Sequence, residues 1–162
     1  MATIKQIRRL IIFFIISLAL SGITAFPLQT EMEFLQQYCN SFPAFMCNWI
    51  TEVNASVSKT DSIVLYGTDW LAFAHIIIAL FFVGVYINPV KNKFIVEVGM
   101  IACIAVFPLA FICGPIREIP FFHQIIDCCF GIIGFIPLKI IHTKIKTLEQ
   151  TNSTKISYEL AN

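Results

Sequence analysis

Charge is scarce in this chain. Lys, Arg, Asp and Glu make up 13% of its 162 residues, about half the share of an ordinary soluble domain. A globule of that composition would have too little polar surface to cover its apolar mass. The net charge is only +1, so no global basic field points to nucleic acid, and no nucleic-acid partner is expected. Zinc-finger spacing, a Walker loop, a GxGxxG turn and a nucleophile elbow are all missing. So are internal repeats and low-complexity runs.

What is there is oil. Hydrophobic residues make up 57% of the chain and the mean hydropathy is +0.80, so the natural solvent is a lipid bilayer. Four apolar runs stand out, at about 10–26, 70–87, 94–113 and 121–141. Each approaches the ~20 residues a helix needs to cross ~30 Å of hydrocarbon. Only helices can do this with open ends, because every backbone group must be satisfied internally. The expected fold class is all-α: a single four-helix transmembrane domain over 1–143, with a flexible cytoplasmic tail over 144–162. Basic residues set the orientation. With the N-terminus inside, the inner segments hold Lys5, Arg8, Arg9, Lys91, Lys93, Lys139, Lys144, Lys146 and Lys155, nine of the eleven basic residues. Only Lys59 and Arg117 fall outside, which puts both termini in the cytoplasm. The first run also reads as a cleavable signal peptide ending near Ala25. Ile23 and Phe26 argue against that by keeping the stretch apolar.

The outer loop, 28–67, carries helical signals of its own. Thr30 and Glu33 have capping-box spacing. After Pro43, residues Phe45, Met46, Trp49, Ile50, Val53 and Val57 recur on one helical face. Two short amphipathic helices are expected there, on the membrane face or capping the bundle.

The polar groups inside the oil are the candidate site. Gly67-Thr-Asp-Trp70 reads as a turn and helix start, with Thr68 or Asp69 as N-cap. His75 and Asp127 each lie about 10 Å into a helix, at 1.5 Å per residue. Asp127 belongs to Phe121-Phe-His-Gln-Ile-Ile-Asp-Cys-Cys-Phe-Gly, which is otherwise almost pure oil. An ionised Asp in mid-span costs roughly 2.5–3.5 kcal/mol on insertion scales. It should face the bundle, pair, or carry a proton. His123, four residues before it, shares its helix face, and Arg117 sits in the short hairpin 114–120. Asp69, His75, Arg117, His123 and Asp127 therefore form a candidate ligand or proton site opening outward. A buried polar knot that fixes helix order is the plainer reading. Glu97 should lie at the inner interface, paired with Lys91 or Lys93. His75, His123 and Asp127 could ligate a metal, and two histidines on separate helices could clamp a haem. Neither has a signature here, so metal and cofactor stay open. Small residues suit close helix contact: Gly99, Ala102, Cys103 and Ala105 on the third helix, Gly131 and Gly134 on the fourth. Pro108 is a candidate kink.

There are six cysteines. Cys39 and Cys47 share the outer loop and read either as a structural bridge or as free thiols. Cys103 reads as packing. Cys128 and Cys129 are possible redox thiols near the outer end of the fourth helix. Four helices, an outer cysteine pair eight apart and thiols on the fourth helix resemble the layout of vitamin K epoxide reductases. That resemblance implies a quinone reductase, with Cys39 and Cys47 relaying electrons to Cys128 or Cys129. The departure is that family's Cys-x-x-Cys, for which this chain has adjacent cysteines pointing ~100° apart. Tyr66-Gly-Thr-Asp-Trp-Leu-Ala-Phe-Ala-His75, Gly114-Pro-Ile-Arg117 and Ile126-Asp-Cys128 resemble a family of small four-helix bacterial membrane proteins with no assigned activity. That resemblance implies a bacterial inner-membrane location.

The expected function is a non-enzymatic accessory or small-ligand-binding role, with an outward-facing polar pocket in the bundle. The expected partners are the lipid bilayer and a larger membrane complex or homo-oligomer. Two alternatives remain: a membrane oxidoreductase using quinone, thiols or haem, and a small oligomeric transporter or channel.

Overall fold

A backbone that must satisfy its own hydrogen bonds in hydrocarbon has to be helical. The computed structural model of the protein is 88% helix, with no strand among the described residues. It describes the backbone of residues 2–161 and the side chains of 3–151 and 153. The side chain of Lys155, counted above with the inner basic residues, and residue 162 of the expected tail lie outside these. In chain order come α1 (Ala2–Thr24), α2 (Leu28–Gln37), a 3-10 turn (Cys39–Ser41), α3 (Ala44–Ser58), α4 (Ser62–Ile87) and α5 (Lys93–Pro108). A π-helical turn (Leu109–Cys113), α6 (Gly114–Ile116) and α7 (Phe121–Ala161) follow. Four stretches are long and apolar enough to cross a membrane: Thr3–Thr24, Ser62–Ile87, Lys93–Ile116 and Phe121–Thr151. Their outward faces are oily. Phe13, Leu80, Ile101, Leu109 and Ile133 are each more than half exposed, a surface suited to acyl chains rather than water.

The chain forms two compact units, one of residues 1–15 and 80–162, the other of 16–79. In the first, α5 packs along α7. Ile7 and Ile11 of α1, Val85 of α4, Val96 of α5 and Leu138, Ile141 and Ile145 of α7 are fully buried. Glycine allows the close approach: a Cβ on Gly131 would sit 2.6 Å from the Cys103 carbonyl oxygen, and one on Gly134 3.0 Å from the Cys103 sulfur. Ala102 and Ala105, expected on the same seam, are exposed instead. The α4–α5 turn is tied by Asn92, whose Nδ2 donates to the carbonyls of Gly84 at 2.8 Å and Asn88 at 2.9 Å. The α6–α7 hairpin closes as a Schellman motif, with Ile119 N–H on Gly114 O at 2.9 Å and Glu118 N–H on Pro115 O at 3.1 Å. Glu118 holds the left-handed position, φ 55°.

Several boundaries differ from those the sequence suggests. Pro108 has no N–H to donate, and the helix responds by changing to π geometry just after it rather than ending. The stretch from 144 onward, expected to be a loose tail, is helical to Ala161. Its period is carried by Leu138, Ile141 and Ile145, all buried, so α7 extends about 60 Å at 1.5 Å per residue, twice the hydrocarbon thickness.

In the second unit, α2 and α3 form a hairpin around Met32, Ile50 and Val57, all buried. Cys39 and Cys47 are joined by a disulfide, Cα atoms 4.9 Å apart. Gln36 Nε2 donates to the Thr51 hydroxyl at 3.2 Å, which donates in turn to Cys47 O at 2.9 Å. The expected Thr30–Glu33 capping box does not form. α2 starts at Leu28 behind Pro27, which makes no side-chain cap, and Glu33 instead accepts from Gln29 Nε2 at 3.2 Å. Gly22 lies against α4, where a Cβ would meet Ala72 O at 2.6 Å.

Candidate functional site

The inward stripe of α7 runs through Gln124, Cys128 and Gly131 at four- and three-residue steps and resumes two turns on at Leu138, all four buried. Gln124 is held by its Nε2 donating to Ile119 O at 2.8 Å. A helical step of ~100° per residue puts His123 and Asp127 on the flank of that stripe. There they meet: His123 Nε2 lies 3.9 Å from Asp127 Oδ1, with side chains 36% and 46% exposed. The acid therefore has a histidine beside it, but on its own helix, and nearly half of it faces outward.

The other candidate residues are placed differently. Asp69 and His75 belong to the second unit. Neither Thr68 nor Asp69 caps a helix, because α4 begins eight residues upstream of Trp70, at Ser62. The capping carboxylate is Asp61, whose Oδ1 accepts from Ile63 N–H at 3.2 Å. Thr68 hydrogen-bonds inside the helix, to Leu65 O at 2.6 Å. His75 Nδ1 is bonded to Leu71 O on its own helix at 2.8 Å. Arg117 is exposed at the end of α6. Among the described residues, neither Asp69 nor Arg117 forms an ion pair. No three His, Cys, Asp or Glu side chains among them gather into a metal-holding group.

The thiols divide as their spacing requires. Cys128 is buried and its neighbour Cys129 exposed; Cys103 is half-buried and Cys113 exposed. Adjacent cysteines thus face opposite environments, and Cys103 packs against Gly134.

The helix-to-helix polar contacts of the first unit lie at its other end. His142 Nε2 donates to Glu97 Oε1 at 3.0 Å, linking α7 to α5. Lys93 and Glu149 pair at 2.9 Å. Lys144 Nζ donates to Gln6 Oε1 at 2.7 Å. Arg8 Nε donates to Tyr86 O at 3.2 Å, with its guanidinium 5.2 Å from the Tyr86 ring centroid. Glu97 therefore pairs with His142, not with Lys91 or Lys93. Sequence reasoning passed over His142 because it lies in the stretch taken for the end of the last helix. Its signal is the period Leu138, Ile141, Ile145, which carries the helix past it.

The fold defines a class: an all-helical protein with four membrane-length apolar helices. Beyond that class, the chain matches no protein-family model, no curated protein and no solved structure.

Proposed function

We propose that the protein is a multi-pass protein of a bacterial inner membrane, both termini cytoplasmic, and that it acts as a non-enzymatic accessory subunit of a larger membrane complex. The observation that carries this reading is the outward flank of α7. Asp127 is 46% exposed, and His123 on the same helix approaches it at 3.9 Å. In a bilayer that flank meets acyl chains, where a mid-span carboxylate costs about 2.5–3.5 kcal/mol. The cost is avoided if a helix of another polypeptide, carrying a cation or hydrogen-bond donor at that depth, covers Asp127. A second copy of this chain covers Asp127 only if the surface it sets across the two-fold carries such a group.

The test is recovery after gentle solubilisation. The wild type should elute with a discrete second polypeptide in constant ratio, and Asp127→Asn should lose most of it while the isolated subunit keeps its thermal stability. Wild-type protein that elutes alone at every detergent strength would contradict the reading.

A further inference from the structure

The end of the first unit where α1 starts and α4 finishes has a charge imbalance that the accessory reading does not use. Its two described carboxylates are both engaged, Glu97 by His142 at 3.0 Å and Glu149 by Lys93 at 2.9 Å. Besides Lys93, three cations there have no such neutralisation among the described residues. Among the described residues, Lys144 meets a neutral acceptor, the Gln6 amide oxygen, at 2.7 Å, and no carboxylate. Lys5 and Arg9 are exposed and, among the described residues, in no ion pair. Their placement is set by the helix. Ile7 and Ile11 are fully buried, which anchors α1 and turns the Lys5–Arg9 face away from the core. Lys5 and Arg9 are four apart and so stand one above the other. Gln6, on the same turn, draws the α7 ammonium to them. Ile12 and Phe13, 42% and 57% exposed, continue the α1 surface as apolar wall.

We propose that this α1–α7 seam, built from Lys5, Arg9 and Lys144, binds the anionic headgroup of a phospholipid in the adjoining leaflet. A phosphodiester brings one negative charge and several acceptor oxygens. Among the described residues, the seam offers three cations and no unpaired carboxylate. An ammonium that has given one hydrogen to Gln6 keeps two more donors, and a guanidinium can bind two phosphate oxygens at once. A juxtamembrane Lys or Arg contributes about 1 kcal/mol toward an anionic surface. Two stacked on α1 and one drawn to it by Gln6 concentrate that attraction on one seam, and the lipid chains lie against Ile12 and Phe13.

The experiment is thermal unfolding of the full chain in neutral detergent micelles, with phosphatidylglycerol, phosphatidylcholine or inorganic phosphate added at equal concentration. A bound lipid raises the midpoint. The expected result is a rise with phosphatidylglycerol alone, abolished in a Lys5→Gln, Arg9→Gln, Lys144→Gln variant and kept in a Lys91→Gln, Lys139→Gln control. Equal rises with both lipids, a rise with phosphate alone, or equal loss in the control would overturn the site. If the triple variant does not fold, salt decides on the wild type. At about 1 M, where screening acts over about 3 Å, the phosphatidylglycerol shift should shrink by more than half, and a shift that persists unchanged overturns the proposal.

Discussion

Two histidines of α7 each meet an acid, and the two pairs do different work. His142 reaches across to Glu97 on α5 at 3.0 Å and is only 12% exposed. His123 reaches down its own helix toward Asp127 at 3.9 Å, with both side chains more than a third exposed. The first joins two helices and lies toward the basic end of the unit. The second is formed within α7, and its acid lies six residues from the helix start. The difference shows which polar groups hold a bundle together and which are left for something else. A pair that crosses helices is part of the fold, whereas a pair on one helix flank leaves a charge at the surface of an apolar span.

The sharpest way to break the comparison is to separate α5 from α7. Gly131→Ala places a Cβ 2.6 Å from a backbone oxygen, which cannot swing aside as a side chain would. The expected loss is about 1–3 kcal/mol, measured by denaturant titration in micelles. Next comes the crossing pair itself. Glu97→Ala or His142→Ala should each lower stability by about 1–2 kcal/mol, since each leaves the other side chain without its cross-helix hydrogen bond. Lys93→Ala, at a pair whose two side chains are about 30% exposed, should cost under about 1 kcal/mol. His123→Ala in the isolated subunit should cost about 0.2–0.5 kcal/mol, the scale of a pair within one helix. A double-mutant cycle on each acid–histidine pair reads the contrast directly: clear coupling for 97 with 142, almost none for 123 with 127.

A carboxylate with no cationic partner gives the baseline. Burial pushes the Glu31 carboxyl in α2 above the usual range. Its folded form holds the proton more tightly than the unfolded chain does. The hairpin should therefore lose a little stability as pH rises from below 4.5 through the raised value. Glu31→Gln should flatten that slope, and this is the smallest effect expected.

Much of the layout was legible in the sequence because membrane helices announce themselves by length and oil. The α4 run ends at Ile87 and the α5 run starts within a residue of Lys93, since Pro89 pushes the residue before it away from helical backbone and Asn92 closes the turn. The α5–α7 seam was legible in Gly131, Gly134 and Cys103. Helix starts were harder. Asp61 and Thr68 are both good caps in isolation, and the apolar run Ile63–Tyr66 that decides between them is too short to count as a span. Glu97 with His142 required the antiparallel register, in which each step forward on α7 is a step back on α5. That register follows from Gly131 facing Cys103, a contact the sequence suggests but does not align. For Asp127, depth could be read but facing could not: burial of Gln124 and Cys128 leaves the acid on the flank, and only the packed helix reveals that.

The central claim is that the Asp127 flank of α7 is covered by a different polypeptide in the membrane. A photo-crosslinking amino acid in place of Phe130, which is 62% exposed and one turn from Asp127, tests it most directly. The expected result is one discrete protein adduct in membranes, of a mass other than twice this chain, that disappears when Asp127→Asn is added. Adducts to lipid alone, or a dimer of this chain that survives Asp127→Asn, would contradict it.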